Sequence, residues 1–351
     1  MTDRFMIYGA TGYTGKLIAR MAKEQGLSPL LAGRNEAKLR AVAEGLGLEY
    51  QVISLDDPAA LDAGLAQVDV VLHIAGPFSA TSAPMIDACL RTGTHYLDIT
   101  GEIDVFEACA ARDAQARDKD IMIMPGVGFD VVPSDCLAAH MKRRMPDATQ
   151  LVLGIAGMDG MSRGTAKTGV ESIKYGTRVR RDGKIVITDG AITRDIDFGK
   201  GPSLSVGMGW GDVSTAYHST DIDNITVYFE ASPQLEQIAR MGPFLRWVLS
   251  TGPAQALLKR QVDKQPEGPD DAARSRGQAV LIGEAVNAKG DKVQSRLRVP
   301  EGYTLTYMTG LEIARRVMAG EAQPGFHTPS QVFGPDFITE FEGCAREDLN
   351  S

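Results

Sequence analysis

The chain has 351 residues, 43% hydrophobic and 23% charged, so it is long enough for two globular domains that each bury a core. Its net charge of −8 argues against a nucleic acid partner, because phosphate backbones are bound by basic surfaces. No apolar run reaches the roughly 18 residues of a membrane-spanning helix, and the N-terminal residues show no signal-peptide pattern. The four cysteines and five histidines lack metal-ligand spacing, so we expect reduced thiols, no metal site and a cytoplasmic location.

The first 145 residues alternate short apolar runs with helical patterns, which predicts a parallel sheet covered on both faces. This doubly wound (Rossmann) α/β arrangement is the predicted nucleotide-binding domain, residues 1–145. The predicted strands are Phe5–Tyr8, Pro29–Ala32, Glu49–Ile53, Val68–Ile74, His95–Ile99 and Asp120–Met124. The predicted helices are Thr14–Gln25, Glu36–Leu46, Pro58–Ala66, Ala80–Thr92, Ile103–Asp118 and Pro133–Met145.

From Leu151 the pattern changes to glycine-rich loops and longer alternating strands, which predicts a second, α+β domain with a mixed or antiparallel sheet at residues 146–300. Its predicted strands include Asn224–Ala231, Gln278–Ala288 and Lys292–Val299. The polar stretch Asp263–Gly277 is interpreted as an exposed loop. Two helices, Tyr303–Ala319 and a last one near Pro335–Ala345, are predicted in the C-terminal segment 301–351.

Residues 241–262 combine Phe244, Leu245, Trp247 and further apolar side chains with flanking arginines and lysines. Two interpretations stay open for this segment. It is either a helix pair whose apolar face packs on the second-domain sheet or on another subunit, or an amphipathic segment that contacts lipid or an acyl chain. The first interpretation describes the commoner case, because the apolar face of a helix usually packs against a core. A homodimer through the second-domain sheet is a further candidate arrangement.

A glycine-rich turn follows the first predicted strand directly. It consists of Gly9, Ala10, Thr11, Gly12, Tyr13, Thr14 and Gly15. A tight turn needs the first glycine, a pyrophosphate can approach the backbone at the second, and the third lets the helix lie close on the strand. The helix N-terminus favours the negative charge of the phosphates. The pattern therefore predicts a dinucleotide site.

The end of the second predicted strand discriminates between NAD and NADP. An acidic residue there would bind the ribose 2′-hydroxyl, whereas an arginine accommodates a 2′-phosphate. The chain has Gly33, Arg34 and Asn35, with no carboxylate before Glu36. Arg34 offers a planar fork that suits phosphate and Gly33 leaves room for it, so we predict NADPH (NADP+) as the cofactor.

In an open parallel sheet the ligand lies beyond the carboxyl ends of the strands. The turn after the fourth strand therefore joins the predicted cofactor site, which also includes Gly101. That turn comprises Ala75, Gly76, Pro77 and Phe78. Tyr96 and Asp98 share one face of the fifth strand, and Asp98 needs a partner if it is buried, whether its role is structural or catalytic.

Two more residues complete the predicted catalytic set of Tyr96, Asp98, Asp130 and Lys167. Asp130 follows the sixth strand in a loop rich in glycine and proline, where it could hold a substrate amine or water. Lys167 lies in a glycine-bounded segment and is the candidate for binding a substrate carboxylate or phosphate. No Tyr-x-x-x-Lys pair is present, so the proton donor stays unassigned.

Several segments, in chain order, resemble the saccharopine dehydrogenase-like NADP-binding oxidoreductases. They are Gly9–Gly15 with Ala32–Asn35, Gly76–Phe78, Gly93–Glu102, Pro125–Asp135, Gly302–Tyr307 and Pro324–Pro329. The branch that includes bacterial trans-acting enoyl reductases is the most similar. The resemblance implies an inserted substrate domain and C-terminal helices that return towards the first domain.

Three functions are compatible with these residues. The first is NADPH-dependent reduction of an activated C=C bond in a small lipid-like or polyketide-like substrate. The second is reduction of a C=N bond that joins an amino acid to a keto acid; it predicts several cations for the carboxylates, and Arg163, Lys167, Lys174 and Arg178 are available. The third is NADPH binding without turnover.

Overall fold

A computed structural model describes residues 4–157, 160, 162–172, 176–188, 190–233, 236 and 242–349. The chain forms two compact units. Unit 1 comprises Met1–Asp130 and Tyr303–Val332, and unit 2 comprises Val131–Gly302 and Phe333–Ser351. Each unit is built around its own sheet.

Within the described residues, the sheet of unit 1 has seven strands, all paired in parallel. They are β1 (Phe5–Tyr8), β2 (Leu30–Gly33), β3 (Tyr50–Val52), β4 (Val70–His73), β5 (His95–Asp98), β6 (Met122–Met124) and β15 (Gly325–Phe326). The order β15-β6-β5-β4-β1-β2-β3 reverses at β1, whose neighbours are β2 and β4. This reversal is the position at which a doubly wound sheet binds its ligand.

The helices of unit 1 follow the predicted alternation, and the α/β fold class is confirmed. They are α1 (Tyr13–Glu24), α2 (Glu36–Leu46), α3 (Pro58–Leu65), α4 (Phe78–Thr92), α5 (Ile103–Ala110) and α6 (Asp113–Asp118). The single helix predicted over Ile103–Asp118 is interrupted at Ala111 and Arg112. Except for the edge strand β3, the strands are largely buried, which explains why they have short apolar sequences.

The sheet of unit 2 is mixed, as predicted. Its strands are β7 (Ala148–Ala156), β8 (Arg178–Arg181), β9 (Lys184–Ile187), β10 (Thr193–Asp197), β11 (Pro202–Met208), β12 (Asn224–Glu230), β13 (Gln278–Asn287), β14 (Lys292–Pro300) and β16 (Ala345–Leu349). They lie in the order β10-β11-β12-β7-β13-β14-β16, with β8 and β9 joined through β12. Only β7 and β12 run parallel among its described neighbours.

The remaining helices complete the two units. They are α7 (Val132–Arg144), α8 (Arg163–Ser172), α9 (Asp212–Thr220), α10 (Pro243–Leu249), α11 (Gly252–Val262), α12 (Asp271–Arg276), α13 (Gly302–Arg316) and α14 (Pro329–Phe333). A π-helical turn, Val317–Glu321, follows α13. Helix α7 packs on β7, β13 and β14, so it groups with unit 2 although the sequence placed it in the first domain.

The C-terminal segment differs from its prediction. The prediction of a last helix near Pro335–Ala345 is wrong. This segment contains a short 3-10 turn, Phe337–Glu340, followed by strand β16, which pairs with β14. Tertiary contacts fix this strand, because the Asp348 carboxylate accepts from the Ser295 hydroxyl at 2.7 Å and contacts His140 at 2.7 Å. Residues 333–349 therefore join unit 2, whereas Tyr303–Val332 belong to unit 1.

The prediction of an exposed loop over Asp263–Gly277 is also only partly right. Its second half contains α12, which starts where the Asp270 carboxylate accepts from the Ala273 N–H at 2.7 Å. Arg274 on this helix is buried. An aspartate directly before a run of good helix formers is an N-cap signal. The loop was predicted from the polar composition of the stretch, which does not take this signal into account.

Candidate cofactor and active site

The glycine-rich turn closes tightly between β1 and α1. Gly9 has φ +94°, a conformation that favours glycine, and its N–H donates to the Ala32 carbonyl at 2.9 Å. A Cβ on Gly9 would lie 2.8 Å from the Ala75 amide nitrogen, and one on Gly15 would lie 2.3 Å from the Gly9 carbonyl oxygen. These close approaches account for the first and third glycines of the motif.

The N-terminus of α1 has open space beside it, and no side-chain cap or acidic residue offsets its helix dipole. Gly12 is the N-cap residue, makes no side-chain cap and is exposed, and the first turn contains no acidic residue. A Cβ there would meet nothing closer than 3.6 Å. This environment fits a pyrophosphate, because the first N–H groups of a helix lack intrahelical partners and attract negative charge. Thr11 and Thr14, which belong to the glycine-rich turn, are half-buried.

The end of β2 also fits the predicted cofactor. A Cβ on Gly33 would have no neighbour within 4 Å, so the position beside the backbone is open. Arg34 is exposed, and its side chain makes no hydrogen bond or ion pair to any residue that the structure describes. Asn35 is the N-cap of α2, since its Oδ1 accepts from the Lys38 N–H at 3.0 Å. The guanidinium is therefore available for a 2′-phosphate, while Asn35 shapes the turn.

The turn after β4 is held from two sides. The Thr81 hydroxyl donates to the Ala75 carbonyl at 2.6 Å, and the Glu102 carboxylate accepts from the N–H groups of Phe78 and Ser79 at 2.8 and 3.0 Å. Pro77 is the N-cap residue of α4. Glu102 thus caps this helix from the loop after β5, and the predicted cofactor residues 75–78 form a fixed edge beside Gly9.

His73, the last residue of β4, contacts the residues that hold this turn. Its imidazole is buried, contacts the Thr81 hydroxyl through Nε2 at 3.0 Å and lies 5.4 Å, centroid to centroid, from the Phe78 ring. Because the Thr81 hydroxyl donates to Ala75, it accepts from His73 Nε2–H, which leaves Nδ1 as an unprotonated acceptor. Burial lowers the pKa of His73 to about 3, so the ring is neutral at physiological pH.

Tyr96 and Asp98 do share one face of β5, as the alternation predicts. The Tyr96 hydroxyl donates to Asp98 Oδ2 at 2.6 Å, and the N–H groups of Thr100 and Gly126 donate to Oδ1, each at 2.9 Å. Both side chains are fully buried, and burial raises the pKa of Asp98 to about 6. This network joins β5 to the loop after β6, so the geometry favours the structural interpretation over the catalytic one.

Asp130 lies at the end of the loop that follows β6. The carboxylate comes so close to Gly101 that a Cβ there would lie 3.0 Å from Asp130 Oδ2. Burial raises the pKa of Asp130 to about 7. Gly101 therefore makes room for this carboxylate, and its contact with the cofactor stays a prediction. Asp130 is a carboxyl group of this edge whose pKa lies near neutral pH.

The helix α13 completes the site, and sequence reasoning from motifs did not assign its residues. The Thr306 hydroxyl accepts from the Phe129 N–H at 3.0 Å, and the Thr309 hydroxyl donates to the Val127 carbonyl at 2.7 Å. Tyr303 packs edge-on against Tyr13 at 5.0 Å between ring centroids. The Gly302–Tyr307 resemblance pointed to this helix, but only the fold shows that it holds the Asp130 loop and the phosphate turn.

Lys167 belongs to unit 2, whereas Tyr96, Asp98 and Asp130 belong to unit 1. Its ammonium group forms an ion pair with Asp263 at 2.6 Å, and the neighbouring Arg163 pairs with Glu267 at 3.6 Å. Lys174 lies outside the described residues. The predicted role of Lys167 in binding a substrate anion would require this ion pair to open.

Several described apolar side chains of the segment 241–262 are exposed. Phe244, Trp247 and Leu257 are 75%, 67% and 59% exposed, and Leu245 is exposed as well. The prediction that they pack on the second-domain sheet is therefore wrong for these four side chains. Contact with another subunit and contact with a lipid are the interpretations that stay open. No helix among the described residues is long and apolar enough to span a membrane.

A family model for the saccharopine dehydrogenase NADP binding domain matches residues 5–124. In the same region, the phosphate turn, Arg34 and the edge at residues 75–78 fit NADP. Across the fold, the apo saccharopine dehydrogenase (L-Glu forming) from Saccharomyces cerevisiae aligns with a TM-score of 0.62 at 13% identity, covering 99% of this chain and 100% of that one. At this identity the likeness concerns the fold.

Trans-acting enoyl reductases are among the curated relatives of the chain. That of Mycobacterium tuberculosis is 31% identical over 211 residues, 54% of this chain and 49% of the relative. That of Mycobacterium ulcerans is 29% identical over 229 residues, 58% of this chain and 53% of the relative. The chain thus spans about half the length of these relatives. Residues 5–124 thus match a saccharopine dehydrogenase NADP binding domain, and the chain as a whole is similar in fold to saccharopine dehydrogenase.

Proposed function

We propose that the protein uses NADPH to reduce an activated C=C bond in a lipid-like or polyketide-like substrate. The observation that carries this proposal is the similarity to trans-acting enoyl reductases, which extends over 211 residues and thus beyond the NADP-binding span 5–124. NADPH supplies the hydride. The chain holds the cofactor at the turn Gly9–Gly15 and at Arg34, and must deliver a proton to the carbon next to the activating carbonyl.

Asp130 is the proposed proton donor. Its carboxyl group lies at the carboxyl edge of the sheet beside Gly101, and burial keeps its pKa at about 7, so a large fraction is protonated at neutral pH. Tyr96 and Asp98 are assigned a positioning role, because their hydrogen bonds are made within the protein and fix the backbone from which the Asp130 loop departs.

Reduction of a C=N bond between an amino acid and a keto acid is the alternative enzyme function. Such a substrate carries several carboxylates and needs unpaired cations. Two of the four cations available to it, Arg163 and Lys167, are already paired with Glu267 and Asp263. This pairing favours the C=C reaction. The third possibility, NADPH binding without turnover, is a separate outcome of the same experiment.

The test measures NADPH consumption with two substrate panels. Enoyl thioesters of increasing chain length should support oxidation of NADPH, and the saturated thioester should appear in equal amount. Turnover with a keto acid plus an amino acid, and none with enoyl thioesters, would replace the C=C proposal by the C=N alternative. Tight NADPH binding without oxidation in either panel would identify a binding protein.

The role of Asp130 is tested separately. Asp130→Asn should lower kcat at least about a hundredfold, the usual contribution of a general acid, while the Kd for NADPH stays within a factor of about two. In the unmodified protein kcat should fall as pH rises through about 7, because the protonated acid is lost. Asp118→Asn, an exposed carboxylate of the same unit, is the matched control. An unchanged kcat in Asp130→Asn would exclude this residue as the donor.

A further inference from the structure

A polar groove lies on the sheet of unit 2, where β7, β12, β8 and β10 each contribute a side chain. It has a volume of about 390 Å³. The side chains that matter here are Gln150, Arg181, Arg194, Asn224, Thr226 and Tyr228. Among the described residues that line it there are two guanidinium groups and no carboxylate. The groove is therefore rich in hydrogen-bond donors and carries positive charge.

Strand alternation separates two adjacent arginines of β8. Arg180 is buried, donates to the carbonyls of Val213 and Gly183 at 2.8 and 2.7 Å, and lies 4.0 Å from the centroid of the Tyr217 ring. Arg181 is exposed and lines the groove, where it donates to the Thr226 hydroxyl at 3.0 Å. Within the described part of the chain no carboxylate pairs with Arg181, so its positive charge is not neutralised by an ion pair.

Arg194 is held in place by a buried partner. Its guanidinium donates to both oxygens of Glu284 at 2.7 and 2.8 Å, and Gln294 and Lys292 contact the same carboxylate at 2.7 and 3.3 Å. Because Glu284 is buried, this arrangement fixes the orientation of Arg194 at the groove wall. The charge of Glu284 is balanced locally by Arg194 and Lys292.

Tyr228 lines the groove together with both arginines. Burial raises the pKa of the Tyr228 phenol, while the charges of Arg194 and Arg181 act in the opposite direction. The phenol is protonated at neutral pH and can donate a hydrogen bond. The groove thus combines a fixed arginine, an arginine without a carboxylate partner and a phenol, with the amides of Gln150 and Asn224 beside them.

We propose that this groove, which is formed by residues of unit 2 alone, binds the carboxylate or phosphate group of a small molecule. Guanidinium forks match both oxyanions in geometry, and partial enclosure strengthens such charge-assisted bonds relative to open water. The proposal is independent of the reaction assigned above, because every group that carries it belongs to unit 2.

Calorimetric titration with inorganic phosphate, and separately with succinate, tests the site at constant ionic strength. Saturating NADP+ is present throughout, so that the phosphate turn of unit 1 is occupied. Arg181→Gln should weaken binding of the tighter probe about tenfold or more, the effect of one charge-assisted contact. Tyr228→Phe should weaken it by a smaller factor.

Arg298→Gln is the matched control, since Arg298 lies on β14 of the same sheet, is exposed, and pairs with Glu347 at 3.0 Å away from the groove residues. It removes the same charge and should leave the affinity within a factor of about two. The proposal is overturned if neither probe binds, if Arg181→Gln and Arg298→Gln weaken binding equally, or if Arg34→Ala alone abolishes it. Thermal unfolding of each variant verifies that the fold is retained.

Discussion

Burial sets the protonation of three groups at the carboxyl edge of the unit 1 sheet. It lowers the pKa of His73 to about 3 and raises those of Asp98 and Asp130 to about 6 and 7. All three shifts favour the neutral form, as desolvation requires. Near neutral pH this edge therefore presents a neutral imidazole and a titrating carboxyl group, and the positive charge of Arg34 lies at a different strand end.

His73 makes the unfolding free energy depend on pH. The unfolded imidazole has a pKa near 6.5 and the folded one about 3, so the unfolded chain binds more protons between these values. The contribution of this residue is complete above pH 6.5 and is lost as pH falls towards 3. Between about pH 7.5 and about pH 5 the loss should reach about 2 kcal/mol.

Denaturant unfolding of His73→Phe and of the unmodified protein across this pH range measures that loss. The difference between their unfolding free energies should shift in favour of His73→Phe as pH falls, because phenylalanine binds no proton. Thr81→Val removes the hydrogen-bond partner but keeps the imidazole, so it serves as the control and should retain the pH dependence. A constant difference between His73→Phe and the unmodified protein would mean that the ring is not buried as described.

Arg34 should decide the choice between the two nicotinamide cofactors. Arg34→Asp replaces a phosphate-binding guanidinium by a carboxylate that repels the 2′-phosphate. The Kd for NADPH should rise about tenfold or more, while the Kd for NADH stays the same or falls. Fluorescence titration with both cofactors measures the ratio. Equal losses for both would contradict the assignment of Arg34 to the 2′-phosphate.

Among the secondary structure elements, two turns at neighbouring strand ends touch each other and shape the cofactor site. Gly9, after β1, lies against the backbone of Ala75, after β4. The second turn is tied to α4 by Thr81 and capped by Glu102 from the loop after β5. Because β1 and β4 are neighbours in the sheet, the two turns meet although they lie far apart in the sequence.

Two glycine substitutions separate the packing of the phosphate turn from its ligand binding. Gly9→Ala introduces a Cβ at φ +94° and 2.8 Å from the Ala75 nitrogen, so the unfolding free energy should fall by about 2 kcal/mol or more. In Gly12→Ala the added Cβ meets only the Gly9 carbonyl oxygen, at 3.6 Å, so this variant should fold normally. Its Kd for NADPH should nevertheless rise, because the pyrophosphate approaches the backbone there.

Chemical denaturation and NADPH titration of both variants provide the measurements. Gly26→Ala is the control for backbone strain, since Gly26 also has a positive φ, +78°, but a Cβ there would meet nothing within 4 Å. Unchanged NADPH binding in Gly12→Ala would argue against the phosphate position at this helix N-terminus.

Elements with a strong local signal are predicted well, and those fixed by tertiary pairing are not. Strand β1 and helix α2 have the predicted bounds, because an apolar run and a capped amphipathic stretch are local patterns. Strand β16 was not predicted: the last predicted helix, near Pro335–Ala345, overlaps it only at Ala345. Its pairing with β14, and the contacts of Asp348 with Ser295 and His140, come from parts of the chain that a local pattern does not include.

Across the molecule as a whole, the chain passes between the two units more than once. Unit 1 is completed by Tyr303–Val332, and unit 2 by the C-terminal strand β16. The exposed apolar side chains of α10 and α11 belong to unit 2 and lie at its surface. An exposed aromatic group of this kind usually marks a contact surface.

Trp247 provides a direct check of this exposure. The chain has two tryptophans, so Trp210→Phe leaves Trp247 as the single indole, which should emit as a water-exposed group and be quenched readily by acrylamide. Trp247→Phe leaves Trp210, which packs on Phe229 at 4.9 Å between centroids and should be quenched less. Emission from Trp247 that shifts to the blue as protein concentration rises would show that a second copy covers it.

Short-range patterns of glycine, apolar residues and charge are enough to predict the Rossmann unit, its phosphate turn and the arginine that indicates NADP. The folded chain adds which carboxyl groups are held in structural networks and which one titrates near neutral pH. It also adds that Lys167 is paired and that Arg181 and Arg194 share a groove. These properties depend on burial and on contacts between residues far apart in the sequence, and a linear pattern contains neither.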